Sequence, residues 1–222
     1  MKIPIRLKNC GCGGESLVWF MLEDTDIRYK CAHCSKEQDL GIQNLRIAIK
    51  VILRAQYELF ESKDYSLSIV LSAMAFECDL NRLYKKWKML EAMREKKIFL
   101  SSEHFDDALR RMNRIFDKFK STADLMTDHG VTGFVNNSPD LQRLISDKFV
   151  CVPLERVKKD LKKAFEENLF FPRNNIIHAA KQYDEKAAKC AREFALLGMT
   201  ILEKMDDAKI ANSRRGGTSK NL

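Results

Sequence analysis

The sequence predicts a mainly α-helical chain: an antiparallel helical bundle preceded by a small, cysteine-rich β domain. Two observations carry this. From residue 42 onward, apolar residues recur every three or four positions, the period of a helix with one buried stripe. Ahead of that, four of the seven cysteines fall within the first 34 residues, among several glycines and a short β-like run. The predicted division is a β domain at 1–41, a helical bundle at 42–210 and a polar tail at 211–222.

Within the first segment, Leu17 to Leu22 has strand character and 23-EDTD-26 follows it as a turn. A helix over 42–62 carries Leu45, Ile47, Ile49, Ile52, Leu53 and Leu59. Asp64 or Ser66 caps a second, long helix through about residue 97. Its stripe is Ile69, Val70, Ala73, Phe76, Leu80, Leu83, Tyr84 and Trp87, close to a 3.6-residue period. A third helix, about 102–126, spaces Phe105, Leu109, Met112, Phe116 and Phe119 by threes and fours. The stretch 129-HGVTGFVNNSPD-140 has the glycines, asparagines and proline of the main loop. A short helix at 140–149 follows it. Pro153 is placed to open a helix over 153–169, and Pro172 to open the last one, running to about residue 207. The tail 211-ANSRRGGTSKNL-222 is polar and glycine-rich, the composition of a disordered end.

The early cysteines form Cys10-x-Cys12, then eighteen residues, then Cys31-x-x-Cys34. Two close thiolate pairs can clamp one tetrahedral zinc from two loops, and 31-CAHCSKEQ-38 resembles a zinc-ribbon knuckle. The eighteen intervening residues suit a short hairpin, and Gly11, Gly13 and Gly14 let the first loop close tightly. The first pair is shorter than the usual C-x-x-C, which leaves His33 as an alternative ligand. Free thiols or disulfides are the competing state. A site of four cysteines is closed, so the zinc would be structural. Trp19, Phe20 and Tyr29, with Arg28 and Lys30, form either a stacking platform for bases or the core of the hairpin. Cys78, Cys151 and Cys190 lie in apolar helical contexts, as buried thiols do.

The net charge of +8 and pI near 9.1 favour polyanionic partners such as nucleic acid, although mixed runs such as 156-RVKKDLKK-163 are usually solvated helix faces. No stretch approaches the roughly 20 apolar residues of a membrane span. The basic start has no apolar segment of a signal peptide behind it, so a cytoplasmic protein is expected.

The segment 171-FPRNNIIHAA-180 mixes core residues with Arg173, Asn174 and His178. On a helix opened by Pro172, Asn174 and His178 share a face, and Lys181 continues it. Arg173 sits at the loosely held start, while Ile176, Ile177 and Ala180 are placed to face the bundle. An anion near Asn174 would meet the positive end of the helix. Two uses fit this pattern: a satisfied core histidine, or a site.

An R-N-x-x-x-H motif at the start of the last helix of an all-helical bundle resembles the HEPN superfamily, and Arg173, Asn174 and His178 stand at the matching positions. The resemblance covers about 42–207 and leaves the β domain outside. It implies a second polar element on an earlier helix; 75-AFECDLNRL-83 is similar, with Glu77 as the candidate, the other reading of Glu77 being a salt-bridge partner. Many HEPN proteins are metal-independent endoribonucleases, often prokaryotic toxins or antiviral defence enzymes, some held inactive by a partner protein. The resemblance therefore implies RNA as substrate and 2′-hydroxyl attack on the adjacent phosphate, with His178 moving protons and Arg173 pairing with the phosphate. Asn174 would orient one of them. It also implies a homodimer that brings two motifs into one cleft. The alternative is a noncatalytic zinc-ribbon and HEPN module that binds nucleic acid, a nucleotide or a protein partner.

Overall fold

The structure is a computed structural model that describes residues 2–7, 12, 16–21, 26–41, 47–95, 107–108, 111–112 and 114–217. Cys10, the three glycines around Cys12, Leu45, Phe105, Leu109 and residues 218–222 lie outside the described residues.

The N-terminal segment makes two antiparallel hairpins. Strand β1 (Lys2–Leu7) pairs with β2 (Ser16–Met21), from Lys2↔Met21 to Leu7↔Ser16. Strand β3 (Asp26–Lys30) pairs with β4 (Glu37–Gly41), from Asp26↔Gly41 to Lys30↔Glu37. The single hairpin expected between the two cysteine pairs is thus replaced by two, each with a cysteine-bearing turn. Only the run of β2 was expected as a strand; β1, β3 and β4 were missed, although in β1 Ile3, Ile5 and Leu7 alternate with Lys2, Pro4 and Arg6 at the period of a strand.

From residue 47 the chain is mainly helical. Helix α1 (Ile47–Tyr57) buries Ala48, Ile52 and Ala55, and a π-turn at Glu58–Ser62 adds Leu59 to the same stripe. Ile47, expected on that stripe, is instead 69% exposed. Helix α2 (Tyr65–Arg94) starts where Asp64 Oδ1 accepts the Leu67 N–H at 2.9 Å, an N-cap, and it buries the whole expected stripe except the half-buried Val70.

Helices α3 (Ile115–Asp124), α4 (Gly130–Asn136), α5 (Pro139–Lys148) and α6 (Leu154–Phe165) follow. A π-turn at Glu166–Phe170 leads directly into α7 (Phe171–Ala179), and α8 (Glu185–Gly217) closes the bundle. Five phenylalanines from α2, α3, α6, the π-turn and α8 meet at the centre. Phe76 and Phe119 pack edge-on at 5.1 Å, as do Phe165 and Phe194 at 5.3 Å, and Phe170 stacks on Phe76 at 6.2 Å. On the rim, Asp206 of α8 accepts the Trp87 indole N–H at 2.8 Å and a Lys86 ammonium bond at 2.7 Å, tying α8 to α2.

Three expectations are corrected. The stretch 129–140 is not a loop: its glycines belong to α4, which Gly130 enters at φ +62° and which buries Val131 and Val135. The last helix is not continuous from Pro172: it stops at Ala180, left-handed at φ +49°, and a new helix begins at Glu185. Asp184 Oδ1 caps that new start by accepting the Ala187 N–H at 2.8 Å. The end of α8 runs through residues 211–217 of the expected polar tail.

Candidate nucleic-acid interface and metal centre

The motif residues ride on α7, a helix of nine residues. Pro172 lies in its first turn, as expected, but α7 has no free N-terminus. The π-turn before it is already helical, and the Phe171 N–H bonds to Glu166 O. The positive helix end expected beside Asn174 is therefore absent, because the preceding turn takes up its N–H groups. At the other end the helix stops one residue after His178, so Lys181 does not continue the polar face. The connecting segment folds back on α7: Tyr183 Oη accepts a bond from Asn175 Nδ2 at 3.1 Å, with the Lys181 ammonium 5.3 Å from the Tyr183 ring centre.

His178 is exposed, which removes the core-histidine reading. Ile176 packs against the core as expected, but Ile177 is 48% exposed and Ala180 is exposed as well. The outward side of α7 thus combines a histidine with apolar surface. Arg173 is a half-buried residue whose guanidinium donates to Asn174 Oδ1 at 2.9 Å in an exposed bond, so the asparagine holds the arginine.

Arg173 and Asn174 form one wall of an open cleft of about 400 Å³. Arg114 and Phe116 from the start of α3 also line it, as do Lys162 and Glu166, which precede Arg173 on the continuous helical run of α6 and the π-turn. Within α6, Asp160 leaves helical geometry (φ −153°, ψ 78°) and its carboxylate accepts the Lys163 N–H at 2.9 Å. The helix restarts there and carries Lys162 to the cleft. Three cations against one carboxylate leave the lining positive. Arg114 and Lys162 were missed in the sequence. Lys162 belongs to the run 156–163 taken as a solvated face, whose apolar members Val157 and Leu161 are indeed buried. No local signal marks Arg114; only packing of α3 on the phenylalanine cluster brings it near α7.

Glu77 lies elsewhere in the network. Its carboxylate makes an ion pair with Lys118 of α3, both largely shielded from water, and bonds to none of Arg173, Asn174 or His178. Cys78, Cys151 and Cys190 are half-buried rather than buried. Burial, then the neighbouring Glu77 and Asp79 charges, raises the Cys78 thiol, and burial with a bond to Cys151 pushes Cys190 up to about 12. The Cys78 and Cys190 thiols stay protonated near neutral pH and are poor nucleophiles.

The turns of the two hairpins bring Cys12, Cys31 and Cys34 together. Their sulfurs lie within 4.8 Å of one another, and Cys12 Sγ is 3.6 Å from Cys31 Sγ. That separation is far beyond the roughly 2.05 Å of a disulfide. It is close to the edge of a tetrahedron with metal–sulfur bonds of about 2.3 Å, which is roughly 3.8 Å. The second turn is shaped for this: Ser35 is left-handed at φ +54°, its N–H bonds to Cys31 O at 2.9 Å, and the Cys31 N–H bonds to Lys36 O at 3.0 Å. These three cysteines can hold a metal ion. Among the described residues the group does not include His33, which is exposed. The platform residues Trp19, Phe20, Arg28 and Tyr29 are in strands β2 and β3, and Lys30, at the end of β3, is exposed.

No helix among the described residues is long and apolar enough to cross a membrane. Comparison of the chain with protein-family models, with curated proteins and with solved structures found no match among any of the three.

Proposed function

We propose that the chain is a metal-independent endoribonuclease of HEPN type, joined to a zinc ribbon. The observation that carries this reading is that Arg173 and Asn174 line an open, positively lined cleft while His178 is exposed on the same short helix. The chemistry follows from those side chains. The imidazole of His178 takes the 2′-hydroxyl proton, the 2′-oxygen attacks the adjacent phosphorus, and the 5′-oxygen leaves, giving a 2′,3′-cyclic phosphate. Arg173, held by Asn174, pairs with the phosphate oxygens as their charge grows. The leaving oxygen needs a proton donor as well. A second copy facing the exposed His178–Ile177 side of α7 would supply its own histidine, and the exposed Ile177 gives that side apolar area for a symmetric contact. An inhibitory protein partner would cover the same side.

Wild-type protein is expected to cut single-stranded RNA in the presence of EDTA and to leave intact the same sequence with 2′-deoxy sugars, because the nucleophile is gone. Gel analysis of both substrates checks this. Binding of RNA without any cut would leave the noncatalytic nucleic-acid module as the function.

The metal of the ribbon is proposed to be zinc, structural, with Cys10 as the fourth thiolate beside Cys12, Cys31 and Cys34. Metal analysis of purified protein is expected to give about one zinc per chain. Cys31→Ser with Cys34→Ser should lose it, with the N-terminal segment becoming protease-sensitive while the bundle keeps its helical signal. A metal-free chain with a protease-resistant N-terminus would overturn the assignment.

A further inference from the structure

The cleft between α3, α6 and α7 has features that the cutting chemistry does not use. Arg114 is exposed at the start of α3 and makes no ion pair among the described residues. The Arg114 side chain makes no cap hydrogen bond to α3, and Ile115 and Phe116 of its first turn line the cleft, so the positive end of a ten-residue helix adds to the field there. Among the described residues Lys162 has only a long contact to Glu166, at 3.9 Å, so its ammonium stays available to an anion. Phe171 is 51% exposed at the cleft, whereas its neighbour Phe170, which also lines it, is buried at 6%. A large aromatic face open to water among three cations is suited to a planar ring that carries a phosphate. The volume, about 400 Å³, is within the range of small-ligand sites.

We propose that this cleft is a subsite for one nucleotide of the RNA chain beside the cut, its phosphate held by Arg114 and Lys162 and its base stacked on Phe171, while Arg173 at the edge of the cleft stays with the scissile phosphate. The inference rests on the ribonuclease reading for the place of the cut: His178 is five residues beyond Arg173, about 7.5 Å along the helix axis, so a nucleotide in the cleft lies next to the scissile phosphate and not on it. An acidic peptide would also meet the cations, but its Asp and Glu carboxylates carry no planar ring of their own for Phe171.

The test measures binding of a fluorescent single-stranded octanucleotide with 2′-O-methyl sugars, which cannot be cut, to the full chain across a salt series. Phe171→Ala should weaken binding about tenfold with the salt dependence unchanged, and Phe171→Trp should restore it. Arg114→Gln and Lys162→Gln should each weaken binding and reduce the slope of log affinity against log salt by about 0.7, the value for one phosphate contact on a single strand. Unchanged affinity in Phe171→Ala and Arg114→Gln would overturn the subsite. So would equal affinity for a free nucleoside 5′-monophosphate, which would make the cleft a receptor for the monomer. Because the probe is never cut, the result is separable from cleavage: a wild type that binds in this pattern but cuts nothing removes the nuclease reading alone. Variants that cut and bind as wild type remove the subsite alone.

Discussion

Replacing His178 by alanine is expected to abolish RNA cleavage and leave the fold intact. Proton transfer by a placed imidazole contributes on the order of a hundred- to ten-thousandfold to such reactions, and the loss should fall in that range or below detection. Stability should barely move. His178 is exposed at the end of α7 and its side chain makes no hydrogen bond among the described residues, and exposed substitutions of this kind usually stay within about 0.5 kcal/mol. Circular dichroism and thermal unfolding check the second half, gel assays the first. Arg173→Ala should lose on the order of a hundredfold, since the developing phosphate charge is left unpaired. Asn174→Ala should cost less, because the 2.9 Å bond to Arg173 positions a flexible guanidinium and meets no reacting atom. A His178→Ala protein that still cuts RNA at the wild-type rate would end the proposed mechanism.

The largest effect on stability is expected where Phe76 packs on Gly198. A Cβ added at Gly198 would stand 2.8 Å from Phe76 Cδ2 and 2.9 Å from Cζ, inside contact distance. Glycine to alanine in a helix interior normally gains about 1 kcal/mol. Here the sign reverses, because the ring is enclosed by Phe119, Phe165 and Phe170 and cannot shift freely. Gly198→Ala should destabilise by about 1–3 kcal/mol, and Phe76→Ala, which empties the centre of the cluster, by about 3–5 kcal/mol. Against a total of about 5–15 kcal/mol for a typical domain, the second change approaches unfolding. Phe76→Leu placed in the Gly198→Ala chain should recover part of the loss. Urea titration of the wild type, Gly198→Ala, Phe76→Leu and the double variant measures this, and additive losses would show that ring and backbone do not compete for the same space.

What the sequence reveals follows from how local the deciding force is. Helix α2 was legible because its stripe, from Ile69 to Trp87, keeps one period, and Asp64 marks its start. Helix α4 was hidden because Gly130 and Gly133 are turn residues by type. Burial of Val131 and Val135 decides the matter, and Gly133 is needed where a Cβ would meet His129 Cβ at 2.9 Å. The break at Ala180 has no glycine or proline to announce it. The motif itself was legible as spacing, but spacing does not say whether His178 faces the core or water. Arg114 comes from a helix that reaches α7 only through the bundle's packing, and Lys162 shares a space with Arg173 only because of the π-turn between them, which no pattern in the segment announces. The cysteine turns were legible as a cluster, while the pairing of β1 with β2 was obscured by the basic residues among its isoleucines.

The π-turn between α6 and α7 sets the rotational phase of the cleft. A π-turn holds about one residue more than an α-turn, so it acts as a single-residue insertion within one rod. Lys162 stands before this insertion and Arg173 after it. Each residue of an α-helix turns the face by about 100°. Without the extra residue, Arg173 and Asn174 would point about that much away from Lys162, and the two halves of the rod would serve different surfaces. The length of this one turn, rather than the identity of its residues, is what makes the cations of two helical segments act on the same space.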